Sequence, residues 1–385
     1  MNTDGQRHVC IKASECFEVM FRSLHKHPHG KAATMPLRSA IAGRVLLFLF
    51  LPFAGANLPS ANAASCTTQS QMTAAQRDSL EGSARTVAAL MQTGNIETLR
   101  ASTIPAVAAD FGGIAASVQN LKPRIQSATV TVEELYLLDS STDSAGASQT
   151  DFYCGQPVVV LNFNGLPPGT YALTILHATG VPQPQQISLL FSRAADNRWM
   201  LAGFFSKPMI AAGRDGLWYW TSARKYAQEK MNWNAWLYYR MASNLLDPLS
   251  FLSSANLEKL ERESEEVRPG NFPGASPIAV NAYGASFNVS AIDTTDTFGG
   301  LDLDVKYTPD ATQAAQLQDP PTARKQVTAI MSALLELHPE LQTAFHGIWV
   351  HANQGTASLF ALELPMTEIA AIPQPPNASA NPVSR

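Results

Sequence analysis

The chain lacks the short motifs that usually mark an enzyme class. It has no Gly-x-Ser-x-Gly elbow, no phosphate-cradling glycine loop, no Gly-x-Gly-x-x-Gly and no Cys-x-x-Cys. A conventional serine hydrolase, nucleotide enzyme or dithiol oxidoreductase is therefore excluded. Positive charge is also short, with 27 Lys and Arg against 31 Asp and Glu, the wrong balance for holding nucleic acid. Cysteine is scarce, at four in 385 residues. No apolar run reaches the ~20 residues that a membrane-spanning helix needs.

The strongest positive signal lies early. Residues 35–44 are short and basic, residues 45–54 are apolar, and Ala61-x-Ala63 follows as a small-residue cleavage site. That order reads as a secretory signal peptide over residues 35–63, so the protein is expected to be exported, periplasmic or secreted. Residues 1–34 precede it and read as an extension ahead of a true start at Met35, or as a disordered segment. Their His25, His27 and His29 read as a solvated tail, not a metal tract. Removing residues 1–63 takes away seven basic and three acidic residues, leaving 20 against 28. Cys10 and Cys16 go with them, and Cys66 and Cys154 remain. An even pair in an oxidising compartment reads as a disulfide. The alternative makes Cys66 a lipid-anchored first residue, although Ala63-Ala64-Ser65 lacks the branched residue such a site normally has. The roughly 320 residues left exceed the usual size of one core, and two domains are expected.

Residues 72–212 read as helices followed by strands. Thr73 and Gln76 have capping-box spacing, Leu80, Ala84, Val87 and Met91 share a helical face, and Gly94 stops it. Residues 96–102 form a second helix, and a third starts at Pro105 and runs towards Leu121, with Gly112 and Gly113 weakening its middle. From Val130 the period becomes two. Strands follow over residues 130–138, 152–163, 171–178, 186–193 and 199–206, separated by polar, glycine- and proline-rich stretches. Several are apolar on both faces.

This order, closing on a strand with Trp199 and Gly203, resembles the NTF2-like cone of the cystatin-like superfamily. The resemblance implies a curved antiparallel sheet around helices, with a pocket between them. Members of that family include isomerases, dehydratases and non-catalytic binding or dimerising modules, so the fold alone does not give the function. His177, on one strand face with Tyr171, Leu173 and Ile175, is the candidate pocket base. Its nearest helical acid by topology is Asp110.

The densest aromatic stretch is residues 217–263, within a segment taken as residues 213–266. Trp218, Tyr219, Ser222, Ala223 and Tyr226 form one broad helical face. Residues 231–234 hold a turn, a second helix carries Trp236 and Tyr239, and Pro248 ends it. Tyr219, Ala223, Tyr226, Ala235, Tyr239 and Ala242 resemble a single tetratricopeptide-type hairpin of about 34 residues. A lone hairpin of that kind cannot bury its own face without neighbours. Trp218, Tyr219, Tyr226, Trp236 and Tyr239 are accordingly the candidate binding residues.

After a proline- and glycine-rich linker, residues 269–370 read as a small antiparallel α+β unit of order ββαββ, and residues 371–385 as a disordered tail. Paired strands are expected over residues 278–292 and 300–307, a helix from Thr322, and a hairpin around residues 353–356. His338, Glu340, His346 and His351 lie close in sequence but match no metal-ligand spacing. Asp302 and Asp304 alternate with Leu301 and Leu303 and, with Asp293 and Asp296, read as a solvated strand face more simply than as a calcium loop.

The expected class is therefore α+β, with no metal and no cofactor. The expected function is an exported, non-catalytic binding or scaffold protein of the bacterial envelope. Its partner would be a small apolar ligand, another protein or a second copy of the chain, with no nucleic acid and no membrane span after signal removal. The alternative is an NTF2-like isomerase or hydrolase using His177.

Overall fold

The computed structural model describes residues 64–142 and 148–372. The expected signal peptide, the extension before it and residues 373–385 of the expected tail lie outside the described residues. The chain is α+β, and its last unit is a small sheet domain.

The first strand, β1 (Ser65–Thr68), leads into α1 (Ala74–Thr93), which opens on the Thr73–Gln76 capping box and stops at Gly94 with φ 70°. Then come α2 (Ile96–Ala101), α3 (Pro105–Ala109) and α4 (Gly112–Ile125). The single helix expected from Pro105 is thus two. It breaks at Asp110, just before the two glycines whose helix propensity is poorest.

Five antiparallel strands form the main sheet, in the order β1, β2 (Thr129–Asp139), β5 (Thr170–Thr179), β6 (Gln185–Arg193), β7 (Trp199–Pro208). One face, with Leu135, Leu176, Ile187, Leu189 and Phe191, packs on Leu80, Val87, Met91 and Val118 of the helices. β3 (Gln149–Cys154) and β4 (Val159–Asn164) leave the expected meander and make a second sheet with β10 (Leu252–Ser254). That sheet covers the other face, where Tyr136, Leu138, Leu173 and Ile175 meet Phe152, Leu161, Phe163 and Phe251. Strands apolar on both faces are therefore the middle layer of three. The Cys66–Cys154 disulfide, spanning 88 residues, joins the edge strand of one sheet to the end of β3 in the other.

A short hairpin of β8 (Ile210–Ala211) and β9 (Arg214–Asp215) leads to α5 (Gly216–Gln228), N-capped by Asp215. Helix α6 (Asn232–Leu246) returns against it. The chain then goes back to the first unit, pairing β10 with β4, before α7 (Ala255–Glu266) packs on α6. The aromatic segment is thus three helices with a strand lent to the neighbouring sheet.

The last sheet runs β11 (Ile278–Ala282), β12 (Ala285–Thr295), β13 (Asp302–Thr308), β14 (Gly347–Gln354), β15 (Ala357–Pro365). The strand expected over residues 278–292 is a hairpin, turned by Tyr283 and Gly284 at φ 51° and 78°. Two successive left-handed residues make the tight turn that suits strand twist. Between β13 and β14 come α8 (Ala311–Gln316), α9 (Pro320–Leu337) and α10 (Leu341–Ala344). This crossover makes β13 and β14 parallel, so the sheet is mixed and not wholly antiparallel. A closing helix, α11 (Met366–Ala370), follows β15. One continuous apolar core holds Tyr219, Trp233 and Trp236 together with Val305, Ile330, Leu334 and Ile348. Burying each such side chain stabilises by roughly 1.5–3 kcal/mol.

Candidate functional site

The aromatic face of α5 and α6 is mostly interior. Tyr219, Trp236 and Tyr239 are buried and Tyr226 is half-buried. Tyr219 donates its hydroxyl to the Ala211 carbonyl at 2.9 Å. Tyr238 donates to the Ala344 carbonyl at 2.7 Å and lies edge-on to Phe345. Trp236 is covered by the Arg268 guanidinium and Phe272. Burial lifts the Tyr219 and Tyr239 phenols to about 12, the second also through the Glu263 charge. Of the candidate binding residues, Trp218 alone is substantially exposed, at 39 %, beneath the Arg214 guanidinium and beside exposed Leu217. The hairpin has found its neighbours, and they are the last sheet and its helices.

His177 sits on β5 opposite Gln186, on the face shared with Tyr171, Leu173 and Ile175. That face is turned away from the helices, whose side of the sheet is the apolar interior around Leu176 and Ala178. Its acidic neighbour is Glu133, with Oε1 3.9 Å from Nδ1, and not Asp110. Thr131 in turn donates its hydroxyl to Glu133. The pocket between helices and sheet that the resemblance implied therefore does not contain this imidazole.

The four residues His338, Glu340, His346 and His351 do not converge. His338 pairs with Glu340 at 3.6 Å and stacks on Trp233, with ring centroids 4.1 Å apart. His351 lies beside Asp304 and Trp349, and His346 beside Asp302. The aspartates separate too: Asp293 pairs with Arg240, and Asp296 accepts from the Ala212 amide. Asp302 is fully buried, so the alternation with leucines that reads as a solvated face does not end in solvent.

A groove of about 480 Å³ opens where α6, β10 and α7 meet. Pro248 ends α6 there and the Ser254 side chain caps the start of α7, so both turns are written locally. Asp247, Glu258, Glu261 and Glu265 bring carboxylates to it, Ser243, Ser250, Ser253 and Ser264 bring hydroxyls, and Arg240 is the basic residue of its lining. Asp247 holds the Leu249 amide at 3.1 Å and feels the charge of half-buried Lys207 on β7. Burial pushes the Asp247 carboxyl up against that attraction, and it pushes the Lys207 ammonium down. The arrangement can accept several hydrogen bonds and neutralise positive charge. In the sequence Glu258, Glu261 and Glu265 give no sign of a groove, because the wall opposite them comes from α6.

No known family, curated protein or solved structure matches the chain.

Proposed function

We propose that the chain is an exported, non-catalytic binding protein of the bacterial envelope. Its groove between α6, β10 and α7 takes a cationic ligand or peptide segment rich in hydrogen-bond donors. The observation carrying this reading is the groove's lining, four carboxylates and four serines with one arginine, beside Tyr239 and three leucines. A small apolar ligand suits the molecule less well, because the apolar faces of the hairpin and of the first sheet are filled by their own chain. The Cys66–Cys154 bridge is compatible with an oxidising compartment. Among the described residues no helix is long and apolar enough to cross a membrane. On this reading the NTF2-like and tetratricopeptide-like segments are scaffold, placing the walls of the groove.

The test is fluorescence binding of a labelled Lys/Arg-rich peptide and of an equal-length Glu-rich peptide to protein recovered from an oxidising compartment. The cationic peptide is expected to bind, and more weakly as salt rises. Reversing Glu258, Glu261 and Glu265 to Lys abolishes binding, and reversing the distant Asp78, Glu97 and Asp110 leaves it. Equal binding of both peptides, or equal loss in both triple variants, overturns the reading.

A further inference from the structure

The last sheet holds a second constellation, separate from the groove. Asp302 opens β13, His346 immediately precedes β14, and Glu363 lies near the end of β15. One potential ligand atom from each lies within 4.8 Å of the other two. The sheet register brings them there: Leu303 pairs with Ile348 in parallel, while Gly347 pairs with Pro365 and Trp349 with Glu363 in antiparallel. The backbone of His346 is held on both sides, donating to the Leu301 carbonyl and accepting from the Met366 amide, each at 2.8 Å.

Three features set this cluster apart from an ordinary surface ion pair. The Asp302 side chain is 0 % exposed, and only its Oδ1 has a side-chain partner, His346 Nδ1 at 2.9 Å. Among the described residues, Asp302 Oδ2 and Glu363 Oε1 are both buried with no hydrogen-bonding partner, and the Gly347 backbone is the other hydrogen-bonding group that the Asp302 carboxyl feels. An unpaired buried acceptor costs roughly 1–3 kcal/mol or more if charged, so these two oxygens call for a ligand. The second feature is the floor. A methyl group on Gly347 would stand 2.5 Å from Glu363 Oε1 and 2.9 Å from Asp302 Oδ1. The two carboxylates thus close over bare backbone, in a space that any larger residue would fill. Gly300 is needed in the same way, since a methyl group there would meet His346 Cβ at 2.3 Å.

The third feature is charge. Among the described residues no Lys or Arg pairs with Asp302 or Glu363, and the further charges felt by them, Asp296 and Glu368, are acidic. Two carboxylates thus share one imidazole in a partly desolvated site, an arrangement that a dication would balance.

We propose that Asp302, His346 and Glu363 form a three-ligand site for a divalent transition metal of the zinc class. One imidazole with two carboxylates is a borderline donor set that suits Zn²⁺, whereas calcium and magnesium favour oxygen ligands alone. Ligand atoms about 2.0–2.2 Å from a tetrahedral zinc stand roughly 3.3 Å apart, so binding draws the wider pair together by side-chain rotation. Three protein ligands leave a fourth position. His346, 47 % exposed, keeps the cluster open to solvent. Trp349, opposite Glu363 in the sheet and touched edge-on by Phe298, forms an aromatic wall on the same face. Such a site offers the metal to an incoming donor atom.

The test strips the full-length protein with a chelator and titrates it with ZnCl₂, followed by native mass spectrometry and by the visible spectrum of the Co²⁺ form. His25, His27 and His29 are replaced by alanine in every sample, to remove the other imidazole-rich segment. One tightly held ion per chain is expected. His346→Gln and Glu363→Gln are expected to weaken it roughly ten-fold or more, with the cobalt bands lost, and His351→Gln to leave it unchanged. His346 is half exposed, so its variant should fold, and circular dichroism confirms that it has. Absence of bound Zn²⁺ in the parent protein at micromolar concentration overturns the site, as does unchanged binding in folded His346→Gln and Glu363→Gln. Neither result bears on the peptide groove, which shares no residue with this cluster.

Discussion

Glu263 on α7 accepts a bidentate pair from Arg224 on α5, with Nε to Oε2 at 2.7 Å and Nη2 to Oε1 at 2.9 Å. The same carboxylate takes the Trp220 indole N–H at 2.7 Å and the Tyr239 hydroxyl at 3.4 Å. One side chain therefore links all three helices of the aromatic unit, and it is not among the α7 acids, Glu258, Glu261 and Glu265, that line the groove. Replacing Glu263 by Gln keeps the shape but removes the charge and one acceptor. It is expected to cost about 1–3 kcal/mol, read as a lower urea midpoint at unchanged slope.

The same residue has a pH signature. Burial disfavours its charge, but hydrogen bonds from Arg224 and Trp220 outweigh that and hold the Glu263 carboxyl below its usual range. A carboxyl depressed in the folded state contributes stability above its unfolded pKa and loses it as pH falls through the folded one. Part of the acid sensitivity below about pH 4.3 should therefore disappear in Glu263→Gln.

His338 works in the next window up. Burial beside Trp233 pushes its imidazole below the usual value, against the opposing pull of Glu340. The unfolded chain then binds a proton more readily than the folded one. Stability should fall as pH drops through the unfolded value near ~6.5 and level off below the folded one. A pH series of urea midpoints shows this decline in the parent protein and a shallower one in His338→Gln.

The disulfide closes an 88-residue separation between two sheets that share one apolar interior. Cys66→Ser with Cys154→Ser should cost roughly 2–4 kcal/mol, seen as a lower melting temperature. The parent treated with a reductant under denaturing conditions and refolded reduced should match the double variant.

How much of this was legible in sequence follows from how local each cause is. Thr73 and Gln76 cap a helix with atoms three residues apart, Gly94 stops it, and the Cys66–Cys154 pair follows from there being two cysteines after residue 63. Those features stand as read. The β10 strand does not announce itself, because Leu252, Ser253 and Ser254 become a strand only by meeting β4. The parallel β13–β14 pair depends on where α9 delivers the chain. Asp302 is the sharpest case. Alternation correctly places it on the face away from the leucines, but burial of that face is settled by residues 44 and 61 positions on. Glu363 sits in an unremarked hairpin strand, and His346 stands in a run of histidines that part company in space.

The turn between α5 and α6 shows the same limit and permits a gain of stability. Lys230 takes the left-handed conformation, φ 64°, while its amide donates to Ala227 and the Met231 amide reaches back to Tyr226. That is the cap where a glycine normally ends a helix, and its absence is why the turn reads two residues late in the sequence. A side chain with a Cβ costs roughly 1 kcal/mol in this conformation. Lys230→Gly removes that strain at an exposed position, partly offset by the greater freedom that glycine gives the unfolded chain. The net expectation is a gain of about 0.5 kcal/mol, measured as a higher urea midpoint. Lys230→Ala separates the cause: it keeps the Cβ, so it should give no such gain, and an equal gain from alanine would place the effect in the lysine's charge instead of its backbone.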